Sequence, residues 1–493
     1  MKYILSIDQG TTGTTALIID ENLDIVGKKN VEYPQIYPQM GWVEHNPEDI
    51  WASVKDSVSI AIETSGIDIK KIKAIGITNQ RETVSIWNKK TGKHYHNFIV
   101  WQDRRTAKYC DLLKEKGYES TIRNKTGLLL DPYFSATKIR WILNNVEAAK
   151  KDADKKQAIA GTIDTFLAYR LSNKKIHVTD ASNASRYMLM DLKKLKWNKK
   201  LCSLLGINCD ILPKISESSE IYGYTEGLDF LPDGIPISGI AGDQQSALFG
   251  QACFNKGEGK CTYGTGSFIL MNTGDDIVKS KNRLLTTVAW KLKGKTTYAI
   301  EGSAFIAGAL VQWIRDGLDF IKDAPEIESL AKKVNDNGGV VIVPALTGLG
   351  APFWRADLQG MIYGISRDTN RSHIARAVLE AIALQNYELL KAMEKDTKLD
   401  LIKLKVDGGA SLNNLLIQFQ ADILNVKLER PKMIETTALG AAMLAGLSTG
   451  IFKGLDEIEE KWSLDKAYYP SPNEYVETAL ERWELAIRKI LTV

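Results

Sequence analysis

Short apolar runs that stop on a single charge set the rhythm of the chain's start. Tyr3 to Ile7 is apolar apart from Ser6 and ends on Asp8; Gln9-Gly10-Thr11-Thr12-Gly13-Thr14-Thr15 follows, and Ala16-Leu17-Ile18-Ile19 is apolar again. This pattern predicts two strands joined by a tight Gly/Thr turn, with Asp8 at the carboxyl end of the first. Strand signals continue to Tyr33. The period then lengthens. Asn46-Pro47-Glu48-Asp49 supplies an N-cap, an early proline and first-turn acids, and Ile50, Val54, Val58 and Ile62 recur at helical spacing. Residues 73–78 read as a buried strand that runs into Asn79-Gln80-Arg81-Glu82. Residues 83–87 and 98–101 read as further strands, with helices near 103–116 and 135–150.

The same order returns in the second half. Residues 260–270 again give strand, Gly/Thr turn and strand, now around Gly264-Thr265-Gly266-Ser267. A helix is predicted from Ala304 to Arg315, a buried strand over 340–343 and a long helix over 371–394. Residues 404–410 read as a strand entering a glycine turn, with a helix over 412–424. The expectation is a diverged duplication with its boundary near residues 255–259. It gives two α/β domains, 1–252 and 253–493, facing one another across a cleft.

Composition narrows the function classes. The chain has 493 residues, 44% hydrophobic and 25% charged, with a formal net charge of +4. That balance gives no electrostatic case for nucleic acid or a membrane surface. Five cysteines without a CxxC pair favour reduced thiols in a cytoplasmic protein over a disulfide framework. Asp8 interrupts the N-terminal apolar run too early for a signal peptide, and no stretch is apolar for long enough to span a bilayer.

Candidate chemistry gathers at the turns. Backbone N–H groups and hydroxyls of Gly10-Thr11-Thr12-Gly13 and Gly264-Thr265-Gly266-Ser267 can hold a polyphosphate from two sides. A carboxylate facing such a cradle repels phosphate unless a cation intervenes, so Asp8 implies a divalent metal, with magnesium the expected one. Adjacent glycines in Val406-Asp407-Gly408-Gly409-Ala410-Ser411, with Asn413 behind, suit a nucleotide, and Gly308 and Gln312 share one helix face that could line the same pocket. Arg81-Glu82 at a strand end can grip a polyol, the arginine donating and the glutamate accepting. Asp243, at the end of residues 237–242, can accept the proton of an attacking hydroxyl. The competing readings are an ordinary hairpin, a surface ion pair and a helix N-cap, respectively. Gly446-Leu447-Ser448-Thr449-Gly450 fits a nucleophile-elbow pattern but ends an Ala-rich helical run. There is no Walker sequence. His94 and His96 read as solvated loop residues rather than zinc ligands.

Taken together, Gly41-Trp42-Val43-Glu44-His45, residues 76–83, Val100-Trp101-Gln102, Arg104-Arg105-Thr106 and Gly242-Asp243-Gln244-Gln245 resemble the FGGY carbohydrate kinase family, and within it the members that act on glycerol. Residues 133–142 and 360–380 are similar to the two family signature regions, and the likeness runs along nearly the whole chain. It implies two ribonuclease-H-like domains of the actin–hexokinase type and ATP-dependent phosphorylation of glycerol to sn-glycerol 3-phosphate. By the same resemblance, Arg81, Glu82, Tyr133, Asp243 and Gln244 bind the glycerol hydroxyls, Trp101 and Phe268 pack on its carbon edge, and Asp243 is the general base. Asp8 acts through magnesium. Thr11, Thr12, Gly13 and Thr265 hold phosphates, and Gly308, Gln312, Gly409 and Asn413 line the ADP site. The family further suggests a homodimer or homotetramer. Two positions depart from it. Gly13-Thr14-Thr15 stands where many bacterial members have Ser-Ser-Arg. The loop Pro232-Asp233-Gly234-Ile235-Pro236 has no arginine where members inhibited by fructose 1,6-bisphosphate have Gly-x-Arg, so weak inhibition or none is expected. The rival readings are a kinase for another polyol or a pentulose, and a nucleotide-driven binding protein of the actin or chaperone kind. The large Trp101 and Phe268 favour a three-carbon acceptor.

Overall fold

The computed structural model describes residues 1–492 except Ala356 and Pro472. Two mixed sheets dominate it, and their topologies match. In the first half the strand order is Ile25–Glu32, Gly13–Asp20, Tyr3–Gln9, Ile72–Asn79, Pro236–Gly242, Ser219–Tyr224. The first three pair antiparallel, the next two join parallel and the last is antiparallel. In the second half the order is Leu285–Leu292, Lys295–Ala304, Ser267–Gly274, Glu258–Tyr263, Lys403–Asp407, Leu428–Pro431, Leu464–Tyr468. It has the same antiparallel, parallel, antiparallel sequence of pairings, with one extra strand at its edge. Parallel neighbours need crossover helices. Pro47–Ser65 serves the first sheet, starting at the expected Asn46 cap and ending on Gly66.

Two helices knit the halves together. Asp243–Gly250 follows the strand Pro236–Gly242, and Thr436–Ser448 follows Leu428–Pro431. Thr436–Ser448 is apolar on all sides, as a helix with no solvent face must be. It packs on the first half's sheet and on Asp243–Gly250. The contact is backbone to backbone: a Cβ on Gly440 would lie 1.9 Å from the Ser246 carbonyl oxygen. Ile4, Leu17, Ala241, Leu248, Leu270, Ala299, Ala442 and Met443 meet in one buried cluster, so an apolar floor joins the lobes. Residues 84–212 add helices, a separate core and three strands that form a four-stranded sheet with Glu44–His45.

Several local expectations shift. The strand Lys295–Ala304 runs through Ala304, so the next helix begins only at Gly308. The strand at 98 stops at Ile99. Val341–Val343 leaves the main sheet and pairs with Met361–Tyr363. His94 is not solvated: its ring stacks on Trp87 at 5.0 Å between centroids, and burial holds its pKa down at about 3, with Arg170 adding to the effect. Among the described residues no helix is long and apolar enough to cross a membrane.

Candidate active site

Each sheet presents one Gly/Thr hairpin. In the first, the Gly10 amide donates to the Gly13 carbonyl at 2.9 Å, leaving Thr11 half-buried and Thr12 exposed at the tip. Tyr33 and Gln80 hold the turn from behind, donating to the carbonyls of Gly10 and Thr11 or of Gly10 alone. In the second, the Gly264 amide donates to Gly266 at 2.9 Å, and Thr265 is exposed. The amides of Ala307 and Ala309 donate to the Thr265 carbonyl and that of Gly308 to Gly264, so this hairpin is folded onto a helix start. Gly308 is obligatory there, because a Cβ would lie 2.6 Å from the Gly264 oxygen.

Between the hairpins lies a buried charged cluster. Arg81 and Glu82 are 2% and 1% exposed, which rules out a surface ion pair. Glu82 has φ +60, a strained value for this residue. Its carbonyl accepts from Ser135 Oγ and Lys138 Nζ. The Arg81 guanidinium donates to both oxygens of Glu301, at 2.6 and 3.0 Å, and to Gln245 at 3.2 Å. Arg186 donates to the same two Glu301 oxygens at 3.3 and 3.1 Å, and its Nε donates to Glu82. Burial disfavours the Glu301 anion, but Arg186 and Arg81 overcome this and hold its pKa at about 2. Neither Arg186 nor Glu301 was expected from sequence.

Asp243 opens on this cluster. It is the first residue of its helix; Gly242, not Asp243, occupies the N-cap position. Its Oδ1 accepts from the Gln244 amide at 2.7 Å and lies 3.0 Å from Arg81 Nε, off that donor's direction, so Nε has no hydrogen-bond partner. Asp243 keeps 31% side-chain exposure while the charges behind it are sealed. Trp101 and Tyr133 form a wall, rings edge to face at 5.7 Å, and Trp101 Nε1 donates to Thr11 Oγ1 at 2.9 Å. Phe268 is half-buried on the opposing sheet, paired with Thr262 and Ser303. Gln244 Oε1 accepts from the buried Lys260.

Asp8 converges on the same place. Burial pushes its pKa up to about 8, and the nearby Asp243 and Glu435 carboxylates add to the effect. Mutually repelling carboxylates beside two phosphate-sized turns suit a divalent cation. Among the described residues no three His, Cys, Asp or Glu side chains are placed to chelate one ion. Carboxylate oxygens such as those of Asp8 are hard donors of the kind magnesium takes.

The remaining candidates surround the second hairpin. The strand Lys403–Asp407 pairs with Glu258–Tyr263 and sets Gly408 against Tyr263, where a Cβ would lie 2.5 Å from the Tyr263 carbonyl oxygen; a Cβ on the next residue, Gly409, would meet open space. Gln312 is exposed one helical turn beyond Gly308. Asn413 caps the helix Asn414–Leu424, its Oδ1 accepting from the Leu416 amide at 2.9 Å.

Known proteins match this arrangement along its whole length. Residues 3–250 match the N-terminal domain of the FGGY family of carbohydrate kinases, and residues 259–449 match its C-terminal domain. The chain is 54% identical over 492 residues to glycerol kinase 2 of Thermotoga maritima, covering 100% of this chain and 99% of that one. It is 52% identical over 491 residues to the glycerol kinase of Myxococcus xanthus, covering 99% of each. Among solved structures, Plasmodium falciparum glycerol kinase with ADP superposes with a TM-score of 0.94 at 39% identity, covering 100% of this chain and 98% of that one. A xylulose kinase from Lactobacillus acidophilus superposes with a TM-score of 0.89 at 24% identity, over 100% of this chain and 99% of that one, a likeness of fold alone.

Proposed function

The chain belongs to the FGGY family of carbohydrate kinases, and on that premise we propose that it transfers the γ-phosphoryl group of ATP to a terminal hydroxyl of glycerol, giving sn-glycerol 3-phosphate. The observation that carries this reading is the convergence of Asp8 and Asp243, from two strand ends far apart in sequence, beside the buried Arg81–Glu82 pair. Asp243 takes the proton of the attacking hydroxyl. The freed oxygen pair forms the new bond to the γ-phosphorus, and the bond from that phosphorus to the bridging oxygen breaks, so ADP leaves with the electron pair. Phosphoryl transfer needs mainly positioning and charge stabilisation. Arg81 and Gln244 would donate to the glycerol oxygens, Glu82 and Tyr133 would bind them, and Trp101 and Phe268 would cover the carbons. Trp101 also fixes the Thr11 hydroxyl, so acceptor wall and phosphate turn are held as one piece. Thr11, Thr12, Gly13 and Thr265 would contact phosphates, and Gly308, Gln312, Gly409 and Asn413 the rest of ADP. Asp8 would hold magnesium, which when bound neutralises phosphate charge.

The working lobes in this reading are 1–252 and 253–493. Five free cysteines suit a cytoplasmic enzyme, and the family suggests a homodimer or homotetramer. A coupled ADP-release assay across glycerol, dihydroxyacetone, xylulose and gluconate tests the substrate; preference for xylulose or gluconate defeats it. Asp243→Asn is expected to lower kcat by about a thousandfold or more while ADP still binds, measured by calorimetry. Retention of most of kcat removes Asp243 as the base.

A further inference from the structure

Lys260, Leu270 and Glu301 lie side by side across three strands of the second sheet, Lys260 opposite Leu270 and Leu270 opposite Glu301. Cross-strand neighbours share a face, and Leu270 belongs to the apolar cluster that joins the lobes. This face therefore points into the first half. Each of its two charges ends on a different acceptor-side residue: Lys260 on Gln244, and Glu301 on Arg81. The strands of Lys260 and Leu270 are the two arms of the hairpin that carries Thr265, and the Glu301 strand pairs with the second of them.

We propose that Glu301 is a positioning residue for the acceptor, with Lys260 as its companion: the second lobe fixes how Arg81 and Gln244 are presented to glycerol. This rests on the kinase reading above. Three features support it. Glu301 takes Arg81 with two parallel N–H···O bonds, a geometry that fixes the plane of a guanidinium as well as its position. It binds Arg186 through the same two oxygens, and Arg186 in turn grips Glu82, so one carboxylate sets both members of the Arg81–Glu82 pair. The four side chains are all 2% exposed or less. Two arginines balance two buried glutamates, and removing Glu301 leaves two buried guanidiniums with one buried carboxylate, Glu82, and the part-exposed Asp243. Because Glu301 reaches from the sheet that bears the second hairpin, acceptor geometry and nucleotide contacts are set by one rigid element.

The test uses the full-length enzyme and steady-state kinetics in both substrates. Glu301→Gln is expected to raise the glycerol KM by about tenfold or more and to lower kcat, with the ATP KM changed by less than about twofold. A second variant guards against misfolding. Glu301→Asp keeps the charge with a shorter reach, and is expected to fold and to raise the glycerol KM by about threefold or more. The double variant Glu301→Gln/Arg186→Met restores charge balance, and is expected to recover part of the glycerol KM lost in Glu301→Gln. A purely structural role would lower the thermal midpoint while leaving the kinetics of the folded enzyme alone. Wild-type glycerol KM and kcat in Glu301→Asp, or equal rises in both KM values in Glu301→Gln, overturn the proposal. Failure of the wild type itself to release ADP with glycerol overturns the kinase reading instead.

Discussion

At the level of single side chains, burial alone does not decide which charges survive; partners do. Burial pushes both Glu301 and Asp8 up; at Glu301 two arginines overcome it, whereas at Asp8 the Asp243 and Glu435 carboxylates add to it. His94 shows the same physics away from the chemistry. Packed against Trp87 and Phe166, it is held neutral, with its pKa lowered to about 3. An unfolded His takes up its proton near pH 6.5, so below that pH the unfolded state binds a proton the folded state refuses. His94 therefore costs stability as pH falls from about 6.5 towards about 3, at roughly 1.4 kcal/mol per pH unit. His94→Leu lacks this term. The thermal-midpoint advantage of the wild type over that variant is expected to shrink between pH 7 and pH 5; a constant gap contradicts it. Residues with local signals were legible in the chain: Asp8 ends an apolar run, and Arg81-Glu82 and Asp243-Gln244 close strands. Glu301, Arg186 and Lys260 were not, because their partners lie elsewhere in the chain: Arg81 is 220 residues from Glu301 and Glu82 is 104 from Arg186. The available clue was a lone charge inside a strand of apolar neighbours, Ala299-Ile300-Glu301, which cannot be buried without a partner.

Elements followed the hydrophobic period closely, and the departures have causes. The helix expected from Ala304 starts at Gly308 because residues 302–304 still pair with Ser267–Ile269 in the sheet, and tertiary pairing outweighs the helical preference of alanine. Among the loops, Pro232–Pro236 is the one whose sequence departs from the regulated pattern. It lies beside Lys70 and Lys73 around a groove of about 250 Å³, and Gly234, at φ +87, forms its tip. The lysines are point charges on flexible stems, and neither supplies the planar two-point grip of a guanidinium on phosphate. Fructose 1,6-bisphosphate is therefore expected to leave glycerol turnover within about twofold at millimolar concentration. Strong inhibition in a steady-state assay would show that the groove is a working anion site despite lacking arginine.

Over the whole molecule, the duplication was visible in the repeated strand, Gly/Thr turn, strand order, and the two sheets repeat one topology. What the chain did not reveal is that Thr436–Ser448, from the second half, completes the first half's core, since an all-apolar helix carries no periodicity to say which sheet it will cover. That exchange sets how the lobes sit, and with it the reach of Glu301 and Lys260 across to Arg81 and Gln244. The tightest point is Gly440 against Ser246. A valine there would drive a side chain into backbone, with no flexible group to yield, and the helices would have to part. Gly440→Val is expected to cost at least about 3 kcal/mol, lowering the thermal midpoint by roughly 3 °C or more. The matched control is Gly454→Ala, where an added Cβ meets nothing within 4 Å and the backbone is extended; its midpoint should stay within about one or two degrees of wild type. If Gly440→Val melts with the wild type, the helices are not packed this closely, and the interlobe contacts to Arg81 and Gln244 lose their rigid support.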